Sequence, residues 1–128
     1  MFGLFDLDSS HVKTAVATLV ASLRPPGSLG IVRYERDDYN NRRPGSLGNP
    51  WFVTTLWLAQ YYLETNQLPL AQAILDWVHE HMLDSGALAE QLDPTTNEFI
   101  SVAPLAWSQA EFMSTLLDLL SGQGEAHG

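Results

Sequence analysis

The 128-residue chain is 45% hydrophobic and only 16% charged, which fits a packed domain and not a disordered segment. Fifteen acids against six bases give a net charge of −9, so nucleic acid and anionic membrane surfaces are poor partners. No apolar run approaches the roughly 18 residues of a membrane span. There is no cysteine and the start lacks a basic-then-apolar leader, so a cytoplasmic location is expected.

The first predicted helix runs from Ser9 to Leu23. Val12, Ala15, Val16, Leu19, Val20 and Leu23 recur at steps of three and four and mark one face. Asp8, Ser9 and Ser10 offer N-cap oxygens, and Pro25 and Pro26 end the helix. A loop of about 25 residues follows, with "PGSLG" at 26–30 and again at 44–48. We read these as two similar glycine turns and not as a repeat architecture. Within the loop, "RYERDDYNN" combines guanidinium, carboxylates, amides and aromatic faces, a set of groups that suits sugar hydroxyls and pyranose faces. The plainer alternative is an acidic turn with an Arg33–Asp37 pair. Four of the six basic residues, Arg33, Arg36, Arg42 and Arg43, fall within eleven positions, and the last three read as solvated.

The second predicted helix opens on "NPW", with Asn49 as N-cap and Pro50 in the first turn, and runs to Glu64. Its apolar residues, from Trp51 to Leu63, cover almost the whole circumference, which predicts burial all round. Trp57 and Trp77 are expected in the core. A helix so buried needs a second layer, so the chain either oligomerises or belongs to something larger.

The third helix is predicted from Leu68 to Leu83, with Ala71, Ile74, Leu75, Val78 and Met82 as the inward stripe. "HEH" at 79–81 reads as a helix end and not a metal site, because positions i and i+2 do not share a helix face. Next comes a loop of about 20 residues, "GALAEQLDPTTNE" within it, where Glu90 follows the apolar Ala87, Leu88 and Ala89. An isolated carboxylate in an apolar setting suits a general acid or base, while the plain alternative is a surface glutamate. The fourth helix is predicted from Pro104 to Leu120, with 122–128 as a flexible tail. Trp51 and Trp107 each begin a helix just after a long loop, so both are placed at one mouth. Long loops after the first and third helices, and a short one after the second, put the long loops at one end of the helices. No serine triad, phosphate loop or dinucleotide fingerprint occurs.

The order "GIVRYERDDY … NPWFVTTLWLAQYYL … ILDWV … GALAEQLDP … PLAWSQAEF" resembles the C-terminal part of the catalytic domain of glycoside hydrolase family 15, the glucoamylases and their bacterial relatives, from about Leu4 to Leu120. The resemblance implies an all-α fold in which residues 1–121 supply the last four helices of an (α/α)6 toroid. It implies inverting exo-hydrolysis of α-glucosidic bonds in glucans or maltooligosaccharides. Some relatives use calcium for structure, but this sequence shows no ligand set, so no cofactor and no metal are expected. Glu90 matches the family's general base, Arg33 and Asp37 its sugar-binding residues, and Trp51 and Trp107 aromatics of the pocket wall. The family's general acid lies between earlier helices, and none of Glu35, Asp37 or Glu98 occupies its motif. "RRPGSLG" lengthens the segment before "NPW". The expected partners are an α-glucan substrate and either the N-terminal portion of the domain or a second copy, covering an exposed apolar face. The alternative function is a non-catalytic fragment or a helical carbohydrate-binding or regulatory module.

Overall fold

The first helix begins where a serine oxygen replaces a missing carbonyl. The Ser9 hydroxyl accepts the Val12 N–H at 3.3 Å, and α1 (Ser10–Leu23) runs on to the two prolines, with Arg24 already extended. In the computed structural model, which describes residues 5–125, α1 is followed by α2 (Phe52–Glu64), α3 (Leu68–Glu80), the two-residue strands β1 (Gln91–Leu92) and β2 (Phe99–Ile100), and α4 (Ala106–Glu125). The described residues are all-α apart from this antiparallel hairpin, which pairs Gln91 with Ile100 and Leu92 with Phe99. The sequence read that segment as turn-rich loop alone.

Helix α2 is the centre of the core. Phe52, Val53, Thr55, Leu56, Leu58, Ala59, Tyr61 and Tyr62 are all buried in it. It packs on α3 through Phe52 and Trp77, whose rings lie 5.6 Å apart, and on α4, whose Leu119 joins the same cluster. Leu88, Ala89 and Leu92 enter that cluster from the long loop after α3. Trp57 departs from expectation. It is 39% exposed and packs edge-on against Trp107 of α4 at 5.8 Å, on a side of α2 that the other described elements cover only in part.

The start of α2 also differs. Asn49 does not cap it; Trp51 holds the cap position with extended backbone and no side-chain bond to the first turn. The Phe52 N–H bonds instead to the Glu90 carbonyl at 3.2 Å. An orphan donor of the helix is thereby satisfied from another loop, and Asn49 is free for other work. Helix α3 ends at Glu80, short of Leu83, because the chain turns through Leu83 and Gly86 and the Leu83 N–H bonds to Ala87. Its inward stripe is as expected, with Trp77 added.

Helix α1 sits lightly on this core: Val12, Val16, Val20 and Leu23 touch it, yet no residue of α1 is fully buried. Helix α4 turns Phe112 and Leu119 inward and leaves Met113, Leu117 and Leu120 exposed. It continues through residues 122–125 of the segment read as a tail, and 126–128 lie outside the described residues. No helix among the described residues is long and apolar enough to cross a membrane.

The second "PGSLG" turn uses its two glycines differently. Gly48 has φ +121°, and a Cβ there would come within 2.6 Å of the Asp37 carbonyl oxygen, whereas Gly45 at φ +86° faces open space. Gly48→Ala is expected to cost more than about 1 kcal/mol, because strain and a backbone clash add. Gly45→Ala should cost less. Thermal unfolding of both variants tests this, and an equal loss in the two would refute the close-approach argument.

Candidate active site

The first long loop and the loop after α3 meet over the start of α2. Trp51 is the junction: it makes antiparallel bridges to Ile31 on one side and Gln91 on the other, and its N–H bonds to the Ile31 carbonyl at 2.9 Å. The Thr55 hydroxyl accepts the Ile31 N–H at 2.9 Å, and the Thr54 hydroxyl donates to the Ile31 carbonyl at 2.7 Å. The first turn of α2 thus fixes the strand-like stretch that leads into Arg33.

Arg33 and Asp37 form a two-bonded fork, Nε to Oδ2 at 2.7 Å and Nη2 to Oδ1 at 2.9 Å. The guanidinium lies 4.0 Å from the Trp51 ring centroid, with Tyr39 and Tyr34 at 5.2 and 5.3 Å. The Asp37 hydrogen bond, opposed by burial, raises the Arg33 pKa above its ordinary value, with smaller contributions from the charges of Asp37, Tyr34 and Glu90. Asp37 is 1% exposed, and burial alone would favour its neutral form. The Arg33 bond and the Tyr39 N–H outweigh that and hold the carboxyl below the usual range.

Glu90 lies just before β1, between the buried Ala89 and the buried Gln91. Its backbone is held at both ends: its N–H bonds to the Val102 carbonyl at 2.9 Å and its C=O takes the Phe52 N–H. Its side chain is partly exposed and accepts the Gln91 Nε2 amide at 3.0 Å. Gln91 is fully buried, and its Oε1 takes the Asn49 amide at 3.1 Å; Asn49 also donates to the Asn40 carbonyl. One line of contacts therefore runs from the sugar-type loop through Asn49 and Gln91 to the Glu90 carboxylate.

Arg33, Asp37, Trp51 and Glu90 are gathered around the start of α2. Trp107 has other neighbours. Its indole N–H donates to Glu111 at 3.2 Å and its ring meets Trp57. The Glu111 carboxylate in turn takes the Gln60 amide at 2.8 Å across the α2–α4 seam. An apolar groove of about 380 Å³ runs from Arg33 and Thr54 past Trp57 toward Val16 and Leu19 of α1.

Sequence reasoning missed Asn49, Gln91, Arg43 and Asp93. Arg43, read as solvated, donates from Nη1 to Asp93 at 2.7 Å, and Arg42 pairs with Glu98 at 2.6 Å. Asp93 is buried, and burial opposes its ionisation. Arg43 and the N–H groups of Thr95 and Thr96 overcome that and lower its pKa. The readable signal for Gln91 and Asp93 was the "EQ" followed by "DP" in the loop before the last helix. No group of three histidine, aspartate or glutamate side chains that could hold a metal occurs among the described residues.

The two lowered carboxyls give a pH prediction. Asp37 and Asp93 have folded pKa values below their unfolded ones, so each contributes stability that is present above the unfolded value of about 4. That stability is lost as pH falls through the folded values. Melting temperature should hold steady from neutral to about pH 5 and drop below about pH 4, with a smaller drop in Asp93→Asn. An acid transition of equal size in that variant would dissociate the effect from Asp93.

This is a helical protein whose long loops gather a carboxylate, amides, a guanidinium and indole faces at the start of one buried helix. The sequence profile of the glycosyl hydrolases family 15 matches residues 64–117, which include Glu90 and Trp107. An uncharacterized glycosyl hydrolase of Methanocaldococcus jannaschii is 32% identical over 126 residues, covering 88% of this chain and 19% of that protein. The chain is therefore glycosyl hydrolase family 15-like, and it spans about a fifth of the length of that relative. No solved structure matches it.

Proposed function

We propose that this chain forms part of an inverting glycoside hydrolase that removes glucose from the non-reducing ends of α-linked glucans or maltooligosaccharides. Glu90 is the general base. The observation that carries the reading is its carboxylate, accepting the fully buried Gln91 amide on a backbone bonded to α2 and the Val102 carbonyl. Arg33 and Asp37 shape the sugar site, Trp51 supplies its wall, and Trp107 extends that wall along the α2–α4 seam.

In the reaction, a water oxygen bonds to the anomeric carbon as Glu90 takes the water proton. The glycosidic C–O bond breaks on the opposite face. A general acid from outside these residues protonates the departing oxygen. Inversion requires the two carboxyls to stand roughly 6.5–9.5 Å apart, so that the water fits between the base and the sugar.

The test is glucose release from maltooligosaccharides by the longer protein that carries this chain, with NMR reading the first-formed anomer. Release of β-glucose, lost in Glu90→Gln, is expected. α-Glucose as first product would overturn inversion. Sugar binding with no hydrolysis by the longer protein would favour the carbohydrate-binding module.

A further inference from the structure

The turn of the β1–β2 hairpin is held from outside by two arginines of the other long loop. Arg43 Nη1 reaches Asp93 Oδ1 at 2.7 Å, and Arg42 Nη1 reaches Glu98 Oε2 at 2.6 Å. The two attachments are unequal. Arg42 and Glu98 are both well exposed, so their pair is screened and contributes little. Asp93 is buried, and its Oδ1 also takes the Thr95 and Thr96 N–H groups at 2.9 and 3.1 Å. Its backbone N–H bonds to Glu98 and its carbonyl takes the Asn97 N–H, which closes the turn. Asp93 is thus the hub of the hairpin turn, and Arg43 is the cation that compensates its buried charge.

Asp93 lies three residues beyond Glu90. The other end of the hairpin is tied to the segment that leads into α2 by Leu92 N–H to Pro50 C=O at 3.1 Å, and to the first residue of α2 by Phe52 N–H to Glu90 C=O. With both ends held, the strand has one orientation relative to the loop that carries Arg33 and Asp37. Resting on the reading of Glu90 as general base, we propose that Arg43 is a positioning residue for the reaction. Through Asp93 it sets the distance between the wall that holds the sugar and the carboxylate that activates water. It touches neither substrate nor water itself. A displacement of about 1 Å in such a geometry costs on the order of a hundredfold in rate.

The test uses the longer protein with Arg43→Ala, Arg43→Lys and Arg42→Ala. Arg43→Ala should lower kcat about 10- to 100-fold with KM within about threefold, because the sugar wall is untouched. Arg43→Lys, which keeps the charge but not the planar fork, should recover part of that loss. Arg42→Ala should change neither constant by more than about twofold. Amide hydrogen exchange of residues 88–102 is followed in parallel, and Arg43→Ala should speed exchange at Glu90 and Leu92. Faster exchange with unchanged kcat would reduce Arg43 to a structural tether and overturn the proposal. Unchanged exchange would overturn it regardless of kinetics. Wild-type protein that turns over no glucan would refute the catalytic reading, and with it the positioning role. Faster exchange in Arg43→Ala would then identify the reading of Glu90 as the part that failed, and unchanged exchange would reject the clasp as well.

Discussion

Glu90→Gln is expected to lower turnover by about 10²- to 10⁴-fold, the range that a positioned general base contributes. The substitution keeps the shape of the side chain and an oxygen that can still accept the Gln91 amide, now 3.0 Å from Glu90 Oε2. Its backbone bonds to Val102 and Phe52 do not depend on the side chain. Substrate binding should therefore stay within a few-fold of wild type, and the loss should appear in kcat. Calorimetric or equilibrium binding of a maltooligosaccharide to the variant separates the two. A fall in affinity as large as the fall in kcat would assign Glu90 to binding and not to chemistry.

The second large effect concerns Arg33. Arg33→Ala deprives the Asp37 carboxylate, 1% exposed in the wild-type structure, of its two-bonded partner. Breaking such a pair from one side costs more than removing both members, because the remaining charge stays buried. The loss is expected near 3 kcal/mol, at the low end for a buried pair, since Arg33 itself is partly exposed. Stacking over Trp51 is lost as well. The double variant Arg33→Ala with Asp37→Ala should be less destabilised than the sum of the singles, read by denaturant unfolding. Strict additivity would mean that the fork contributes nothing beyond its separate parts.

The helices were legible because their apolar spacing repeats over several turns, and α3 reads almost residue for residue: Ala71, Ile74, Leu75 and Val78 are all buried. What was not legible depends on contacts between distant parts of the chain. Asn49 before Pro50 has every local mark of a cap, yet its amide serves Gln91, 42 residues away. Arg43 stands in a polar turn and reads as solvated, but its partner Asp93 lies 50 residues on. Trp57 looks like core from composition, and its exposure follows from which side of α2 is covered. The β1–β2 hairpin is too short to show a period of two. Among the candidate site residues, Arg33, Asp37, Trp51 and Glu90 fall together in the fold. The contacts of Trp107 with Trp57 and Glu111 could not be read from its place after a loop.

The double bridging of Trp51 bears on the order in which the molecule assembles. The α2–α3 hairpin joins neighbours in sequence and closes at little entropic expense. The bonds that complete the site join residues 24 positions apart at Ile31 and Thr55, and 42 apart at Asn49 and Gln91. Such distant closures come after the local ones and reward the chain only once α2 is in place. The loops that carry the chemistry are thus late arrivals on an early scaffold. A chain in which they have come undone still holds most of its helix, so far-ultraviolet circular dichroism is a poor witness to whether the site exists.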